Sequence, residues 1–80
     1  MKAIQAGGKP VDRGTEFFKS LKSHGSSGGK ALYTNGKMLF QWDSLHGEWE
    51  QYDKKGYHRG VLDENGKTIK PAVKGRRINV

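Results

Sequence analysis

Apolar and polar residues alternate in short runs over residues 31–80, and turn residues separate the runs. A period of two is typical of antiparallel strands that bury one face. The pattern predicts a meander of strands, which lie at 31–34, 37–42, 48–52, 57–62 and 68–70, with a last segment at 76–80 that can add an edge strand. Asn35-Gly36 indicates a two-residue hairpin, because both central positions of a type I′ turn need a positive φ.

The first 30 residues predict little regular structure. Residues 1–14 contain three glycines and a proline with no clear period, which favours an extended arm. Thr15 can cap a short helix over 15–23, whose aromatic residues would cover one face of the sheet. Residues 24–29, HGSSGG, favour a flexible loop. It is not a phosphate-binding loop, because no strand precedes it and Ala31 stands where serine or threonine is required.

These elements predict one domain of the α+β class, spanning residues 1–80 and mostly β. A short N-terminal helix would pack on one highly twisted antiparallel sheet formed by residues 31–80. A domain of this size buries only about 60% of its unfolded surface, so the core must be modest. No apolar run approaches the roughly 20 residues of a membrane span. Nor do the first residues resemble a signal peptide, so we expect any export to depend on regions outside these 80 residues.

Charge is the strongest compositional signal. Fifteen Lys and Arg residues against eight Asp and Glu leave a net charge of +7, spread from Lys2 to Arg77. Such a field attracts polyanions and gives salt-dependent affinity. The alternative is a charged surface that only keeps a small protein soluble. The chain has no cysteine, which excludes a disulfide framework and a thiolate metal site.

Within this basic chain, the segment Trp42–Tyr52, WDSLHGEWEQY, concentrates acid–base groups. Strand alternation directs Trp49 to the core and places three residues on the opposite, open face: Glu48, Glu50 and Tyr52. Asp43 and His46 lie in the preceding turn and can converge on the same patch. Cleavage of RNA by its own 2′-hydroxyl needs a base, an acid and a cation. Carboxylate, histidine and arginine side chains suit these three roles.

Other interpretations of these residues are open. The acidic residues and His46 could be solvated groups at the edge of a strand, or could bind zinc or manganese. No established metal-ligand spacing connects the three histidines, and DENGKT at 63–68 is a turn, because its glycine comes too early for a calcium loop. A non-catalytic RNA- or DNA-binding module could use Tyr33, Tyr57 and the lysines for stacking and charge. Glu48 and Glu50 disfavour this module, since they would repel phosphates.

From about Leu39 to Ile78 the sequence resembles the C-terminal ribosomal-RNA nuclease domain of colicin E3, cloacin and related bacterial toxins, with the specific core WDSxHGExE followed by PAVKGRRI. The resemblance implies a short helix on a twisted antiparallel sheet. It implies cleavage of small-subunit (16S) ribosomal RNA at the decoding site, without metal or cofactor, leaving a 2′,3′-cyclic phosphate. Transfer RNA is the alternative substrate, because the family's dense upstream cluster of Lys and Arg is reduced here to Lys30 and Lys37.

The resemblance also implies the biological setting. The domain would be the C-terminal part of a larger toxin, either a secreted colicin-like protein or a contact-dependent inhibition protein. It would act in the cytoplasm of the target bacterium, and a cognate acidic immunity protein would neutralise it in the producer. We expect the domain itself to be a monomer that does not contact a membrane.

Site residues follow from matching the motif positions. The resemblance implies Glu50 as the general base, His46 as the general acid and Asp43 as the residue that orients the histidine. Glu48 matches a further active-site acid, and Tyr52 a nearby aromatic that contacts RNA. Alignment on Ile78 favours Arg76 as the essential arginine and leaves Arg77 as the alternative. The remaining expected RNA contacts are basic residues: Lys30, Lys37, Arg59, Lys74 and Arg77.

Overall fold

The computed structural model describes residues 8–80, which form one short helix and a six-stranded sheet. The elements are α1 Glu16–Lys19, β1 Lys22–Ser27, β2 Lys30–Thr34, β3 Leu39–Asp43, β4 Glu48–Tyr52, β5 His58–Leu62 and β6 Thr68–Pro71. Every strand pairs antiparallel with the next one in the chain. The predicted mostly-β meander with a single short helix is confirmed, and the strength of its twist stays a prediction. No helix in residues 8–80 has the length and apolar character to cross a membrane.

The helix is capped as predicted but is shorter. The Thr15 hydroxyl oxygen accepts a hydrogen bond from the backbone N–H of Phe18 at 3.0 Å. The helix ends at Lys19, and the chain is already in β1 at Lys22, so the predicted helix over 15–23 is wrong at its end. The single turn is long enough to place two adjacent aromatic rings against the sheet. Residues 1–7 of the predicted arm lie outside the described residues.

Strand β1 replaces the flexible loop predicted at residues 24–29. Ser27 pairs with Lys30, so Gly28 and Gly29 alone make the turn to β2. Both glycines have positive φ, 61° and 79°, which a type I′ turn requires. All of β1 is exposed except Ser27, which is partly buried. Its residues are polar and show no alternation, so the sequence pattern could not reveal this strand.

The Asn35-Gly36 hairpin is wider than predicted. Thr34 pairs with Leu39, which leaves a four-residue loop at 35–38 in place of a two-residue turn. The Asn35 side-chain oxygen accepts the backbone N–H groups of Lys37 and Met38, each at 2.9 Å. These bonds close the loop with a side chain, and β3 consequently begins at Leu39 rather than at residue 37.

The expected edge strand at 76–80 is also absent. Instead, one isolated antiparallel bridge joins Tyr57 to Arg77. Around it, the His58 N–H donates to the Arg76 carbonyl at 2.9 Å, and the Ile78 N–H donates to the Gly56 carbonyl at 2.8 Å. Residues 72–80, here the C-terminal segment, are thereby attached beside the start of β5. This attachment brings Arg76 to the face of the sheet that carries the acidic residues.

The opposite face of the sheet carries the apolar core. Phe40, Trp49 and Leu62 form a buried cluster, and the helix residues Phe17 and Phe18 pack against it. The Phe17 ring lies 5.2 Å from the Phe40 ring and 5.8 Å from the Trp49 ring, both in edge-to-face geometry. Trp49 is 0% exposed, which confirms it as the core anchor.

The face that carries the acidic residues is not open, contrary to the prediction. Glu48 and Glu50 are each 8% exposed and Tyr52 is 1% exposed. Strand alternation was correct, since these residues lie opposite Trp49. The prediction failed because side chains from β5, β6 and the C-terminal segment close over β4. Both faces of this strand are therefore buried.

The contact between the helix and the β5–β6 turn can be tested with two glycines of nearly equal φ, Gly66 at 85° and Gly75 at 84°. A Cβ added at Gly66 would overlap the Phe17 ring, whereas a Cβ at Gly75 meets nothing within 4 Å. Gly75→Ala should cost about 1–2 kcal/mol through its left-handed backbone. Gly66→Ala should cost roughly 1–3 kcal/mol more through overpacking. Urea unfolding measures both, and equal losses would contradict the packing of α1 on this turn.

Candidate active site

The β3–β4 turn is built around the carboxylate of Asp43. Its Oδ1 accepts the backbone N–H groups of Leu45 at 3.0 Å and His46 at 3.2 Å. The Gly47 N–H closes the turn on the Asp43 carbonyl at 2.8 Å, with a φ of 67° at this glycine. Asp43 therefore fixes the backbone that carries His46.

The second oxygen of the same carboxylate holds the imidazole. Asp43 Oδ2 lies 2.7 Å from His46 Nδ1. The His46 side chain is 59% exposed, whereas that of Asp43 is 20% exposed. With Nδ1–H donated to the carboxylate, Nε2 is the ring nitrogen that can meet a substrate. An imidazolium in this position would direct its second N–H, on Nε2, toward the cavity.

Burial and hydrogen bonding compete at Asp43. Partial burial alone would raise its pKa, but the hydrogen bonds from the His46 side chain and from the backbone N–H groups of His46 and Leu45 favour the charged form. The resulting pKa lies below the ordinary value of 3.8. Asp43 is therefore ionised at neutral pH and can hold a cationic imidazole.

Glu50 lies across from this turn, with its carboxylate held through one oxygen. Glu50 Oε1 is 2.7 Å from His58 Nε2 and 3.3 Å from a guanidinium nitrogen of Arg76. The side chain of Glu50 is 10% exposed and that of His58 is 0% exposed. Within residues 8–80, Glu50 Oε2 takes part in neither a hydrogen bond nor an ion pair. That oxygen can accept a proton from a bound molecule.

His58 is held as one tautomer by its two neighbours. Its Nδ1 accepts the backbone N–H of Val73 at 2.9 Å. A ring nitrogen that accepts carries no proton, so the proton of the neutral ring lies on Nε2 and is donated to Glu50. A buried histidine thus orients Glu50, and a backbone group of the C-terminal segment orients the histidine.

The structure distinguishes the two candidate arginines. Arg76 contacts Glu50 and donates to the Tyr52 hydroxyl at 3.0 Å, with its guanidinium carbon 5.8 Å from the Tyr52 ring centre. Arg77 instead donates to the Lys55 carbonyl at 2.9 Å and lies over the Tyr57 ring. Only Arg76 of this pair reaches the acidic residues.

Tyr52 is buried beside Arg76 rather than exposed on the surface. Burial raises its pKa above the ordinary value of 10.0, Arg76 opposes that shift, and the charge of Glu50 adds to it. The neutral hydroxyl accepts from the guanidinium and so helps to hold Arg76. A ring that is 1% exposed offers no face for a base to stack on, so the predicted contact of Tyr52 with RNA is not supported as a stacking contact.

Four of the five predicted catalytic residues line one cavity of about 280 Å³: Asp43, His46, Glu50 and Arg76. Lys30 and Gln41 also line it. The fifth, Glu48, forms an ion pair with Lys70 at 3.3 Å. The other predicted RNA contacts do not line this cavity and are exposed: Lys37, Arg59, Lys74 and Arg77. Lys37 lies in the β2–β3 loop, at the end of β3 remote from Asp43.

Comparison with known protein families gives a match. A family model described as Cytotoxic matches residues 11–79. The chain belongs to the colicin E3/cloacin-type cytotoxic domain family. No curated protein and no solved structure gives a significant match. The cytotoxic domain is thus a toxin nuclease with RNA as its implied substrate, and the resemblance inferred from residues 39–78 extends over α1, β1 and β2.

The acidic groups of the cytotoxic domain can also be considered as metal ligands. Asp43, His46 and Glu48 each offer one ligand atom, and these atoms lie within 4.8 Å of one another. Imidazole and carboxylate suit zinc or manganese. In the described geometry each member has another partner, since Asp43 and His46 bond to each other and Glu48 binds Lys70. The predicted absence of a metal requirement is left to experiment.

Sequence reasoning missed three residues of this site: Gln41, His58 and Lys70. Gln41 carried a signal, because it lies two positions before Asp43 in a strand and so shares its face. Lys70 and His58 reach the site from β6 and β5, and their contacts depend on strand register. No local motif could have supplied that register.

We expect the carboxyl carbon of Asp43 to titrate, by NMR, with a midpoint below 3.8, the ordinary value for this carboxyl. His46→Ala should raise the midpoint, because the side-chain hydrogen bond favours the charged form. His24→Ala, in exposed β1, is the matched control and should leave the Asp43 midpoint unchanged.

The lowered pKa of Asp43 also makes stability depend on pH. A carboxyl whose pKa is lowered by folding adds stability that is complete above its pKa in the unfolded chain and is lost as the pH falls through its pKa in the folded protein. Asp43→Asn should accordingly lose less stability on acidification below about pH 4. A wild-type midpoint at or above 3.8 would contradict the described pairing.

Proposed function

We propose that this domain is an endoribonuclease that cuts 16S ribosomal RNA at the decoding site by attack of a 2′-hydroxyl on the adjacent phosphate. The observation that carries the proposal is the single cavity lined by a carboxylate, an imidazole and a guanidinium, those of Glu50, His46 and Arg76. These are the base, acid and cation that the reaction needs. Family membership supports the nuclease class.

Glu50 is the proposed base. Its Oε1 is occupied by His58 and Arg76, so Oε2 takes the proton of the 2′-hydroxyl. The alkoxide oxygen attacks phosphorus, and the bond from phosphorus to the 5′-oxygen of the next nucleotide breaks. His46, as the imidazolium held by Asp43, protonates that leaving oxygen. The products are a 2′,3′-cyclic phosphate and a free 5′-hydroxyl, and proton exchange with water restores both residues.

Arg76 is the proposed electrostatic group. The guanidinium side chain is 45% exposed and lies on the cavity side of Glu50, where it can face the phosphate oxygens. The negative charge on these oxygens grows as the five-coordinate phosphorus forms. A preplaced cation stabilises that charge more than it stabilises the ground state. Tyr52 keeps the guanidinium in position through its hydroxyl.

The target within RNA is inferred from the family resemblance together with the charge. The net charge of +7 favours a large polyanion such as the ribosome. Transfer RNA is the second candidate, because of the two lysines upstream of the WDS motif only Lys30 lines the cavity. Because such cations contact RNA phosphates, a family member with fewer of them can bind a different RNA. Mapping the cut ends separates the two substrates.

The same charge suits the proposed immunity partner, an acidic protein. The domain would reach the target cytoplasm as the C-terminal part of a larger toxin and would act as a monomer.

Because base and acid are both protein groups, no metal ion is needed in the proposed steps. In this mechanism Glu48 does not transfer a proton. Its ion pair with Lys70 places two further charged groups near His46.

Incubation of the domain with intact ribosomes in EDTA should release a discrete fragment of 16S RNA. Glu50→Gln and His46→Ala should each lower kcat by roughly 10²–10⁴-fold, the usual contribution of a general base or acid. Glu16→Gln and His24→Ala make the same chemical changes at exposed positions and should leave kcat within twofold. Absence of a fragment, or full activity of the His46 variant, would refute the proposed mechanism. Loss of activity in EDTA that added zinc or manganese restores would refute metal independence.

The assignment of the arginine can be tested with a matched pair of conservative changes. Arg76→Lys replaces the two guanidinium nitrogens that contact Glu50 and Tyr52 with one ammonium. It should lower kcat by roughly 10²–10³-fold, as for other losses of a transition-state donor. Arg77→Lys should keep kcat within about threefold, because that residue contacts Lys55 and Tyr57. Single-turnover cleavage measures the chemical step for both. The reverse order of effects would assign the role to Arg77.

A further inference from the structure

A second cavity, of about 420 Å³, adjoins the candidate active site. It lies between the β1–β2 turn, represented by Ser27 and Gly28, and the chain end, represented by Ile78 and Asn79. Lys30 and Gln41 line both cavities, so the two are neighbours and are together called the groove. The volume is within the range of roughly 300–1,000 Å³ that is usual for small-molecule sites.

Strand register connects this cavity to the proposed base. Gln41 is the cross-strand partner of Glu50, and directly paired residues carry their side chains on the same face. His46 lies beyond the end of β3, in the turn. Gln41 therefore connects the second cavity to the cavity that Glu50 lines. A nucleotide that presents its 2′-hydroxyl to Glu50 can place its own base there, whereas the next nucleotide extends toward His46.

The side chain of Gln41 is fixed by the β1–β2 turn. Its Nε2 donates to the Ser27 carbonyl at 3.0 Å and to the Lys30 carbonyl at 3.3 Å. Two carbonyl oxygens can face only the donor end of the amide, so the orientation of the amide is determined and both N–H groups are used. The Oε1 end has no hydrogen-bond partner between residues 8 and 80.

Gln41 Oε1 is therefore the end of the amide that is available to a ligand. Gln41 is 8% exposed as a residue, and in the described part of the chain Trp49 Nε1 alone is a fully buried polar side-chain atom without a partner. Gln41 lines the cavity, so its acceptor end can select a ligand that offers an N–H donor. Adenine and cytosine present an exocyclic amino group, whereas guanine and uracil present a carbonyl oxygen at the corresponding position.

We propose that this second cavity, the base cavity, binds the base on the 5′ side of the bond that is cut, and that Gln41 selects an amino base, adenine or cytosine, through Oε1. A keto base bound in the same orientation would place two acceptors against each other. This inference rests on the proposed ribonuclease function and specifies its substrate. Gln41 is a specificity residue here and takes no part in proton transfer.

Four short oligonucleotides test the base cavity directly. Each is DNA except for one ribonucleotide, A, C, G or U, so that only one bond can be cut through a 2′-hydroxyl. The wild-type domain should cut the A and C substrates with kcat/KM higher by between about 5-fold and 150-fold, the usual discrimination of one base contact. Equal rates for all four substrates would overturn the base cavity while leaving the ribonuclease function intact.

Gln41→Leu removes the acceptor. The kcat/KM values of this variant for the A and C substrates should lie within twofold of those for the G and U substrates. Gln51→Leu is the matched control, because Gln51 alternates with Glu50 and lies on the other face of β4. It should keep the wild-type preference. An unchanged preference in a folded Gln41→Leu variant, as judged by its thermal melt, would overturn the role of Gln41.

Binding to the wild-type domain gives a second test that needs no variant and no cleavage. 3′-AMP and 3′-CMP should bind at least fivefold more tightly than 3′-GMP and 3′-UMP by calorimetry, and should shift the side-chain amide signals of Gln41 and Asn79 in NMR spectra. Equal affinities, or shifts confined to other residues, would overturn the base cavity. If ribosomes are cut but no oligonucleotide is, these affinities alone decide whether the cavity selects amino bases. If ribosomes are not cut either, the ribonuclease proposal fails.

Discussion

The buried carboxylate of Glu50 imposes the main constraint on this structure. A carboxylate that loses its water must find donors or cations inside the protein, or its burial is too costly. Glu50 finds both, in His58 at 2.7 Å and Arg76 at 3.3 Å. These partners come from β5 and from the C-terminal segment, and a backbone N–H of that segment also fixes the histidine ring. One ionised group thus connects three parts of the chain that are distant in sequence.

Strand β4 separates the apolar core on one face of the sheet from the acid–base residues on the other face. Trp49 and Glu50 are neighbours in the chain, yet one is the centre of the aromatic core and the other is the centre of the acid–base cluster. Because side chains alternate with a period of two, a slip of one residue in strand pairing would exchange these faces. It would bury charges against the helix and expose the tryptophan. The same register therefore maintains both the fold and the site.

Much of this arrangement follows from the sequence, and the exceptions have definite causes. The bounds of β4, the Thr15 cap and the burial of Trp49 follow from local pattern alone. Asp43 and His46 also meet through local geometry, since one turn connects them. Strand β1 escaped prediction because its polar residues have no buried face, although the glycine pair after it is a hairpin signal. The closure over Glu50, the role of His58 and the choice between Arg76 and Arg77 depend on contacts between remote segments, which no periodicity encodes.

The attachment of the C-terminal segment has a consequence for the working cycle of the domain. The segment is joined to β5 by one isolated bridge and a few hydrogen bonds, whereas β4 is paired with β3 over all five residues and with β5 over four of them. Segments with few contacts open at a lower free energy than the whole fold. Opening here would withdraw Arg76 from Glu50 and remove the Ile78 and Asn79 wall of the groove in a single movement. A single opening of this segment would thus both widen the groove and separate Arg76 from Glu50.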